Sequence, residues 1–212
     1  MTPPTFIIGV DECGRGSLIG EVVTSAVILP NQEESKDPKN MLWNSIKDSK
    51  KVRTHKQREE LADFIKENAV AYAIGTADQN EVDEHNILKA TMMAMHRALD
   101  KLITTHPHLS ITPENTHIQV DGCYFKPAYK DFKHTCIVKG DSLVKSISAA
   151  SILAKTHRDN SILNLVRDHP EFAAYQWQMN MGYGTYSHRK AIKTLGLTPY
   201  HRRTFTKKID ME

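Results

Sequence analysis

Two carboxylates stand side by side at Asp11-Glu12, directly after the apolar run Phe6-Ile7-Ile8-Gly9-Val10 and directly before Cys13-Gly14-Arg15-Gly16. A third acid, Asp121, closes the run His117-Ile118-Gln119-Val120 and is again followed by glycine. Acids at the ends of buried strands emerge at fixed places on the rim of a sheet, where the sites of α/β proteins gather. Adjacent strand residues point to opposite faces, so Asp11 and Glu12 reach that rim from different sides. Gly14 and Gly16 permit a tight turn and let a ligand approach the backbone N–H groups. Arg15 between them is a forked donor suited to phosphate. Acids crowded into a low dielectric repel one another and lose hydration, a cost that divalent cations offset. Oxygen donors select hard ions, magnesium or manganese, over zinc. Two such ions roughly 4 Å apart stabilise both the attacking and the leaving oxygen of an in-line phosphoryl displacement. The chemistry indicated is metal-assisted phosphodiester hydrolysis, which needs three or four carboxylates.

The elements that must hold these groups follow from periodicity and punctuation. Phe6 to Val10 reads as a first strand, and Val22-Val23-Thr24-Ser25-Ala26-Val27-Ile28-Leu29 as its antiparallel neighbour, stopped by Pro30. Thr54 with Gln57 forms a capping box for a helix to about Asn68, with Leu61, Phe64 and Ile65 on its inner face. Residues 69–77 form a third strand, and Asp78 to His85 an acidic linker. Ile87, Thr91, Ala94, Met95, Ala98 and Leu102 then mark a long helix. Its methionines, Met92, Met93 and Met95, read as core filling rather than a soft-metal site. Strands follow at 117–122 and 134–140. Asp141 caps a helix from Ser142 to about His169, whose first half, Ser146 to Ser151, is dense in small residues that allow close approach to a sheet. Asp159 lies four residues after Lys155 and by spacing alone reads as an exposed i,i+4 partner. Gly182-Tyr183-Gly184-Thr185 is a turn before a short helix capped by Ser187 and ended by Gly196. Strands followed by helix–strand units and then helices give one α/β domain over 1–212, its core at about 6–170 and a basic helical part at about 171–212.

Composition bounds the rest. With 212 residues, 40% of them hydrophobic, the chain is long enough for one full core. No apolar run approaches the roughly 20 residues of a membrane span, and Met1 to Thr5 has no basic segment before an apolar one, so neither membrane nor export is expected and the compartment is the cytoplasm. Cys13, Cys123 and Cys136 form no CxxC pair and read as reduced thiols. The eleven histidines show no HExxH-type spacing. Net charge is only +3, yet no acid occurs between Glu171 and Asp210, a stretch holding Arg189, Lys190, Lys193, Arg202, Arg203, Lys207 and Lys208 with His188 and His201. Beside an acid-rich rim, this one-signed stretch reads as an electrostatic footprint for nucleic acid.

The stretch Val10 to Gly16 resembles the signature of type-2 ribonucleases H, the ribonuclease HII family. Further blocks resemble the family in its order: Asp48-Ser49-Lys50, Val120-Asp121-Gly122, Lys139-Gly140-Asp141-Ser142, Ala149 to Lys155 with Arg158-Asp159, Gly182 to Thr185 with His188, and His201-Arg202-Arg203. The resemblance implies a mixed five-stranded sheet flanked by helices, with a C-terminal helical part against the duplex. It implies that Asp11, Glu12, Asp121 and Asp159 bind two divalent ions, Mg2+ or Mn2+, which replaces the reading of Asp159 as an exposed helix acid. It implies that Gly14, Arg15 and Gly16 sense a 2′-hydroxyl, that Tyr183 packs on the ribose, and that Lys50 touches the nucleic-acid backbone. The implied activity is hydrolysis of RNA in RNA–DNA hybrids and incision 5′ of ribonucleotides embedded in duplex DNA, leaving 3′-hydroxyl and 5′-phosphate ends. A monomer with no protein partner is expected.

The chain departs from the family pattern at Cys13, where alanine is usual, and at Ser17, Ile19, Glu21 and Met181. Glu21 and Met181 are positions where backbone contact would weaken. Rival readings are the type-3 enzyme, which usually carries an extra N-terminal domain, and a catalytically silent hybrid-binding protein on the same fold. The start five residues before the first strand and the Gly-Arg-Gly turn with Tyr183 favour type 2, and the intact acids favour catalysis.

Overall fold

A computed structural model describes residues 6–30, 43, 45, 46, 52, 54–126, 131–207 and 209. Its sheet has five strands: β1 (Phe6–Cys13), β2 (Val22–Ile28), β3 (Ala71–Ala77), β4 (Thr116–Asp121) and β5 (Lys133–Ile137), in the order β3-β2-β1-β4-β5. β1 to β3 form an antiparallel meander, and β1, β4 and β5 run parallel. The sheet is therefore mixed, as expected. β1 sits at its centre and is buried from Ile8 to Asp11.

Helices cover both faces. α1 (His55–Asn68) and α4 (Lys145–Asp168) cover one, closing a core of Val27, Leu61, Ile65, Ala149, Ile152 and Leu153. α2 (Gln79–Thr105) covers the other, with Met95, Leu99 and Leu102 against Ile8, Val10, Ile118 and Val120. The small-residue half of α4, Ser146 to Ala154, is buried throughout. Its reason is a close approach at Gly9, where a Cβ would lie 2.2 Å from the Ser146 carbonyl carbon. On the opposite face, a Cβ on Gly75 would lie 2.2 Å from the Ala94 carbonyl oxygen. Both helices thus pack on strands with no side chain between the backbones.

The stretch read as an acidic linker is helical. Asp78 accepts from the N–H groups of Asn80 and Glu81, and Glu81 returns a bond to the Asp78 N–H, a reciprocal capping box. Asn86, at φ 66, breaks the helix and restarts it, its side chain accepting from the Leu88 and Lys89 N–H groups. Acids that look like a solvated linker are caps. Thr54 caps α1 through the Gln57 N–H, one half of the expected box. β5 stops at Ile137, three residues earlier than expected, and the long helix starts later. Between them lies a short helix, α3 (Gly140–Leu143), broken at Val144, so Asp141 sits inside α3 rather than capping α4.

The C-terminal part comprises a 3-10 turn at Pro170–Tyr175, α5 (Trp177–Asn180), α6 (Tyr186–Leu195) and α7 (Arg203–Thr206). It packs around Trp177, Tyr175, Ile162, Ile192, Leu18 and Ile19. Thr185, not Ser187, caps α6, and Gly196 at φ 83 follows its last residue. From the start of α2, Asp83 accepts from the Arg203 and Thr204 N–H groups and so caps α7 across the structure. No helix among the described residues is long and apolar enough to cross a membrane.

A Cβ at position 9 meets backbone that cannot swing aside. Gly9→Ala is expected to lower unfolding free energy by about 2–3 kcal/mol in chemical denaturation, the cost of overpacking a close-packed contact. A change below about 0.5 kcal/mol would show that α4 does not ride on β1 this closely.

Candidate active site

The parallel register of β1 and β4 aligns Val10 with Val120, so Asp11 and Asp121 leave the sheet at the same level. A cleft opens there, lined by Asp11, Glu12, Cys13, Gly14, Arg15, Gly16, Asp121, Asp141, Ser151, Lys155, Arg58 and Tyr183 among others. Asp11 is buried, and one oxygen accepts the Glu12 N–H at 2.7 Å. Burial, then the charges of Glu12 and Asp121, hold its carboxyl well above the usual range, against a hydrogen bond from Ser151 of α4. Glu12 is raised by burial and by Asp121, with the Arg15 guanidinium 3.2 Å away opposing.

Asp121 does more than face the cleft. Its Oδ1 accepts the Gly140 N–H at 2.6 Å and lies within 3.4 Å of the Asp141 N. It thereby ties the start of α3 to the end of β4 and brings the Asp141 carboxylate into the cleft. The approach is so close that a Cβ on Gly140 would lie 3.3 Å from that oxygen and 2.7 Å from Ile147. Ser148 of α4 donates to the Asp141 carbonyl and secures α3 from below.

Asp159, expected as the fourth ligand, lies elsewhere. It is buried and is not among the cleft-lining residues. Each of its oxygens is taken by a cation, Oδ1 by Lys155 at 2.8 Å and Oδ2 by Arg58 at 3.4 Å. Both cations line the cleft, so Asp159 anchors them there. The acid that the cleft contains in its place is Asp141. The sequence offered a signal for it, since Asp141 lies in a block that resembles the family; its local reading as a helix cap hid it. Lys50 lies outside the described residues.

The donor chemistry fits divalent ions: four carboxylates share one cleft, and two of them, Asp11 and Glu12, are held above their usual range by burial first and then by neighbouring carboxylate charge. Among the described residues no three His, Cys, Asp or Glu side chains converge closely enough to enclose an ion.

Two turns face each other across the cleft. Gly14 adopts φ 93, and a Cβ there would lie 2.2 Å from the Arg158 Nε, so the turn closes over Arg158 only with glycine. On the other side Met181 and Gly182 take φ 48 and 76, and a Cβ on Gly182 would lie 2.3 Å from Ile19. Ser17 stitches the two, its Oγ donating to the Gly182 carbonyl at 3.0 Å and its N–H to the Gly14 carbonyl at 3.2 Å. A proline at 17 has neither donor, so this departure adds contacts. Glu21 is turned onto α4, where it accepts from the Ser161 hydroxyl at 2.9 Å. The Tyr183 ring passes 3.9 Å from where a Gly16 Cβ would stand, and its hydroxyl meets Cys13. Burial and then Cys13 raise the Tyr183 hydroxyl above its usual range.

Behind Tyr183 lies an interior histidine pair, although His188 and His201 belong to the stretch read as a basic surface. Trp177 Nε1–H donates to His188 Nε2 at 3.0 Å, so that nitrogen is an acceptor and His188 Nδ1–H donates to the Tyr183 carbonyl at 3.0 Å. His201 Nδ1 accepts from the Thr198 N–H at 2.9 Å, which leaves its Nε2–H to donate to His188 Nε2 at 3.2 Å. Both rings are neutral in this arrangement. Burial first, then coupling to the neighbouring His188, lowers His201 to about 4. Arg202 is interior as well, whereas Arg189, Lys190, Lys193, Arg203 and Lys207 are exposed.

A mixed sheet with acids at the ends of its central strands, flanked by helices on both faces, defines a ribonuclease H-like nuclease. The family model described as Ribonuclease HII matches residues 8–208. Ribonuclease HII of Parabacteroides distasonis is 45% identical over 198 residues, covering 93% of this chain and 88% of that protein. The crystal structure of ribonuclease H2 from Pyrococcus horikoshii superposes with a TM-score of 0.72 at 26% identity, covering 98% of each chain. A ribonuclease HIII solved in complex with Mn2+, described as Bst-RNase HIII, shares the fold at a TM-score of 0.74 and 21% identity, with 99% of this chain but 71% of that one covered. The chain belongs to the ribonuclease HII family and is a ribonuclease H.

A histidine whose folded-state pKa is depressed binds its proton more readily in the unfolded chain, so it weakens the fold as pH falls below its unfolded value. Between about pH 7.5 and about pH 5, His201 is expected to remove on the order of 2 kcal/mol of unfolding free energy. The variant His201→Gln should show a correspondingly shallower pH slope by denaturant titration. Parallel slopes for the two proteins would place the titration elsewhere.

Proposed function

We propose that this ribonuclease H hydrolyses the RNA strand of RNA–DNA hybrids and incises duplex DNA 5′ of embedded ribonucleotides, leaving 3′-hydroxyl and 5′-phosphate ends. The observation that carries the reading is one cleft holding four carboxylates beside two substrate-facing turns. Asp11, Glu12, Asp121 and Asp141 would hold two divalent ions, magnesium or manganese. Ions bound there supply an activated water and neutralise the charge that builds on the phosphate and the departing 3′-oxygen. The remaining work falls to the chain. Lys155 and Arg58, anchored by Asp159, present positive charge to a phosphate in the cleft. The Gly14-Arg15-Gly16 turn offers backbone N–H groups, and the Tyr183 ring offers a flat face to a ribose. A 2′-hydroxyl between them is available from RNA and absent from DNA. The exposed basic residues of α6 and its flank lie toward the duplex as a salt-sensitive contact. We take the enzyme to act in the cytoplasm and as a monomer.

This reading separates the two aspartates. Asp11→Asn and Asp141→Asn should each lower kcat on a uniform hybrid by a factor of about 1,000 or more while hybrid binding is kept, the size of loss expected when charge stabilisation of the transition state is removed. Asp159→Asn should keep measurable turnover and lose more in thermal stability, because it leaves two cations less firmly held. Full turnover by Asp141→Asn at saturating magnesium, with Asp159→Asn dead but stably folded, would restore Asp159 to the ligand set.

Tyr183→Ala is expected to depress cleavage at a single embedded ribonucleotide about tenfold more than cleavage of a uniform hybrid, the loss of one stacking contact. The quantity to measure is the ratio of kcat/KM on the two substrates, and an unchanged ratio removes Tyr183 from ribose recognition.

A further inference from the structure

Arg202 is a fully buried cation with no carboxylate partner among the described residues. Its guanidinium is instead ringed by main-chain carbonyls. Nη1 donates to Gly14 O at 2.8 Å, Ser17 O at 2.9 Å and Arg15 O at 3.0 Å, and Nε donates to Gly20 O at 2.9 Å. Burial, reinforced by the nearby Arg158, lowers its pKa to about 10, so it stays charged at neutral pH. A buried charge held only by dipoles is costly unless those dipoles are fixed in place. Two of those four dipoles, the Gly14 and Arg15 carbonyls, belong to the turn that faces the cleft, and the other two, of Ser17 and Gly20, lie in the segment that follows it.

We propose that Arg202 is a positioning residue for ribose recognition: by drawing the Gly14 and Arg15 carbonyls inward, it turns the Arg15 and Gly16 N–H groups outward to the cleft. The step from carbonyl to amide is geometric. No peptide bond here is cis, and in a planar trans peptide the C=O and the following N–H point in opposite directions. Two carbonyls aimed at an interior guanidinium therefore aim two amides away from it. Neither amide has an acceptor among the described residues. Gly14, Arg15 and Gly16 all line the cleft. The proposal rests on the reading that this turn meets the substrate ribose.

A second buried guanidinium extends the device to Tyr183. Arg158 donates to Met181 O at 3.0 Å and Ile19 O at 3.4 Å, and its Cζ lies 5.4 Å from the Tyr183 ring centroid. Residues 17–20 are thereby held between two neighbours. Ser17 bridges to Tyr183 on one side, Ile19 bridges to His201 on the other, and the Arg202 N–H donates to Leu18 O at 2.8 Å. The turn, the tyrosine and Arg202 are thus bonded into one block. Arginine and lysine differ here, because the guanidinium reaches the Gly20 carbonyl through Nε and the Gly14, Arg15 and Ser17 carbonyls through Nη1, whereas a lysine ammonium is a single point; Nη2 has no hydrogen-bond partner among the described residues.

The test compares the wild-type enzyme with Arg202→Lys on a DNA duplex carrying one ribonucleotide and on a uniform hybrid, both in magnesium, alongside backbone amide NMR spectra of the metal-free proteins. One ribonucleotide presents one 2′-hydroxyl for the turn to find, whereas a hybrid presents one at every step, so a displaced turn is penalised most on the former. Arg202→Lys is expected to lose about tenfold more kcat/KM on the single-ribonucleotide duplex than on the hybrid, a shift equal to one or two hydrogen bonds. Its amide shifts should change at Arg15, Gly16 and residues 182–184 and hold steady along β4. Equal losses on both substrates with unmoved Arg15 and Gly16 amides would overturn the proposal. If the wild-type enzyme cleaves neither substrate, the functional reading falls, and the amide spectra still decide whether Arg202 sets the turn. Should Arg202→Lys fail to fold, Ser17→Ala cuts the stitch to Gly182 by removing one buried hydroxyl. It is expected to shift the same ratio about threefold, and a flat ratio would count against the coupled block.

Discussion

The parallel pairing of β1 with β4 is the contact on which the rest of the molecule depends. It sets Asp11 and Asp121 at one level, and through Asp121 it pulls α3 and Asp141 to the same place. The result is a concentration of negative charge in a buried cleft, and burial first, then neighbouring carboxylates, raise the carboxyl groups of Asp11 and Glu12 above their ordinary range. A fold does not spend stability on such crowding without a counter-charge in view. The close ride of α4 over Gly9 supports the same arrangement, since it delivers Ser151 to Asp11 and Ser148 to the Asp141 carbonyl.

Positive charge is distributed with equal economy around this cluster. Lys155 and Arg58 stand in the cleft, clamped by Asp159 from behind. Arg158 and Arg202 are buried under the two turns and bond to carbonyls rather than acids. In the proposed reading the first pair would meet the substrate, and the second would shape what the substrate meets. Neutral histidines complete the support, because a charged His188 could not accept from Trp177 while donating to the Tyr183 carbonyl. The acids at the start of α2 belong to the same scheme: Asp83 fixes α7 directly after Arg202.

What was legible in the sequence is what local pattern controls. β1 and its abrupt acidic end, the antiparallel β2, the small-residue face of α4 and the turn around Tyr183 follow from apolar runs, glycines and periodicity. Asp141 was not legible from its neighbours, because its place depends on a bond from a strand twenty residues earlier in the chain. The spacing of Asp159 from Lys155 hides its surroundings for a related reason: Arg58, its second partner, comes from a different helix. The basic tail looked uniform as a string, yet His188, His201 and Arg202 are interior while Arg189 and Lys190 are exposed. Sequence shows charge, and only packing shows which charges face water. The acidic run at 78–85 misled in the other direction, because polar residues suited to a loop are equally suited to caps.

The central claim is that one cleft both recognises a ribose and cuts beside it. Its most direct measurement is incubation of the wild-type protein with magnesium and three end-labelled duplexes: all DNA, DNA with a single ribonucleotide, and a uniform RNA–DNA hybrid. The account predicts a single nick on the 5′ side of the lone ribonucleotide, many cuts in the RNA strand of the hybrid, and an intact all-DNA duplex. Cleavage of the all-DNA duplex, or a hybrid left whole under conditions where the protein binds it, would contradict it.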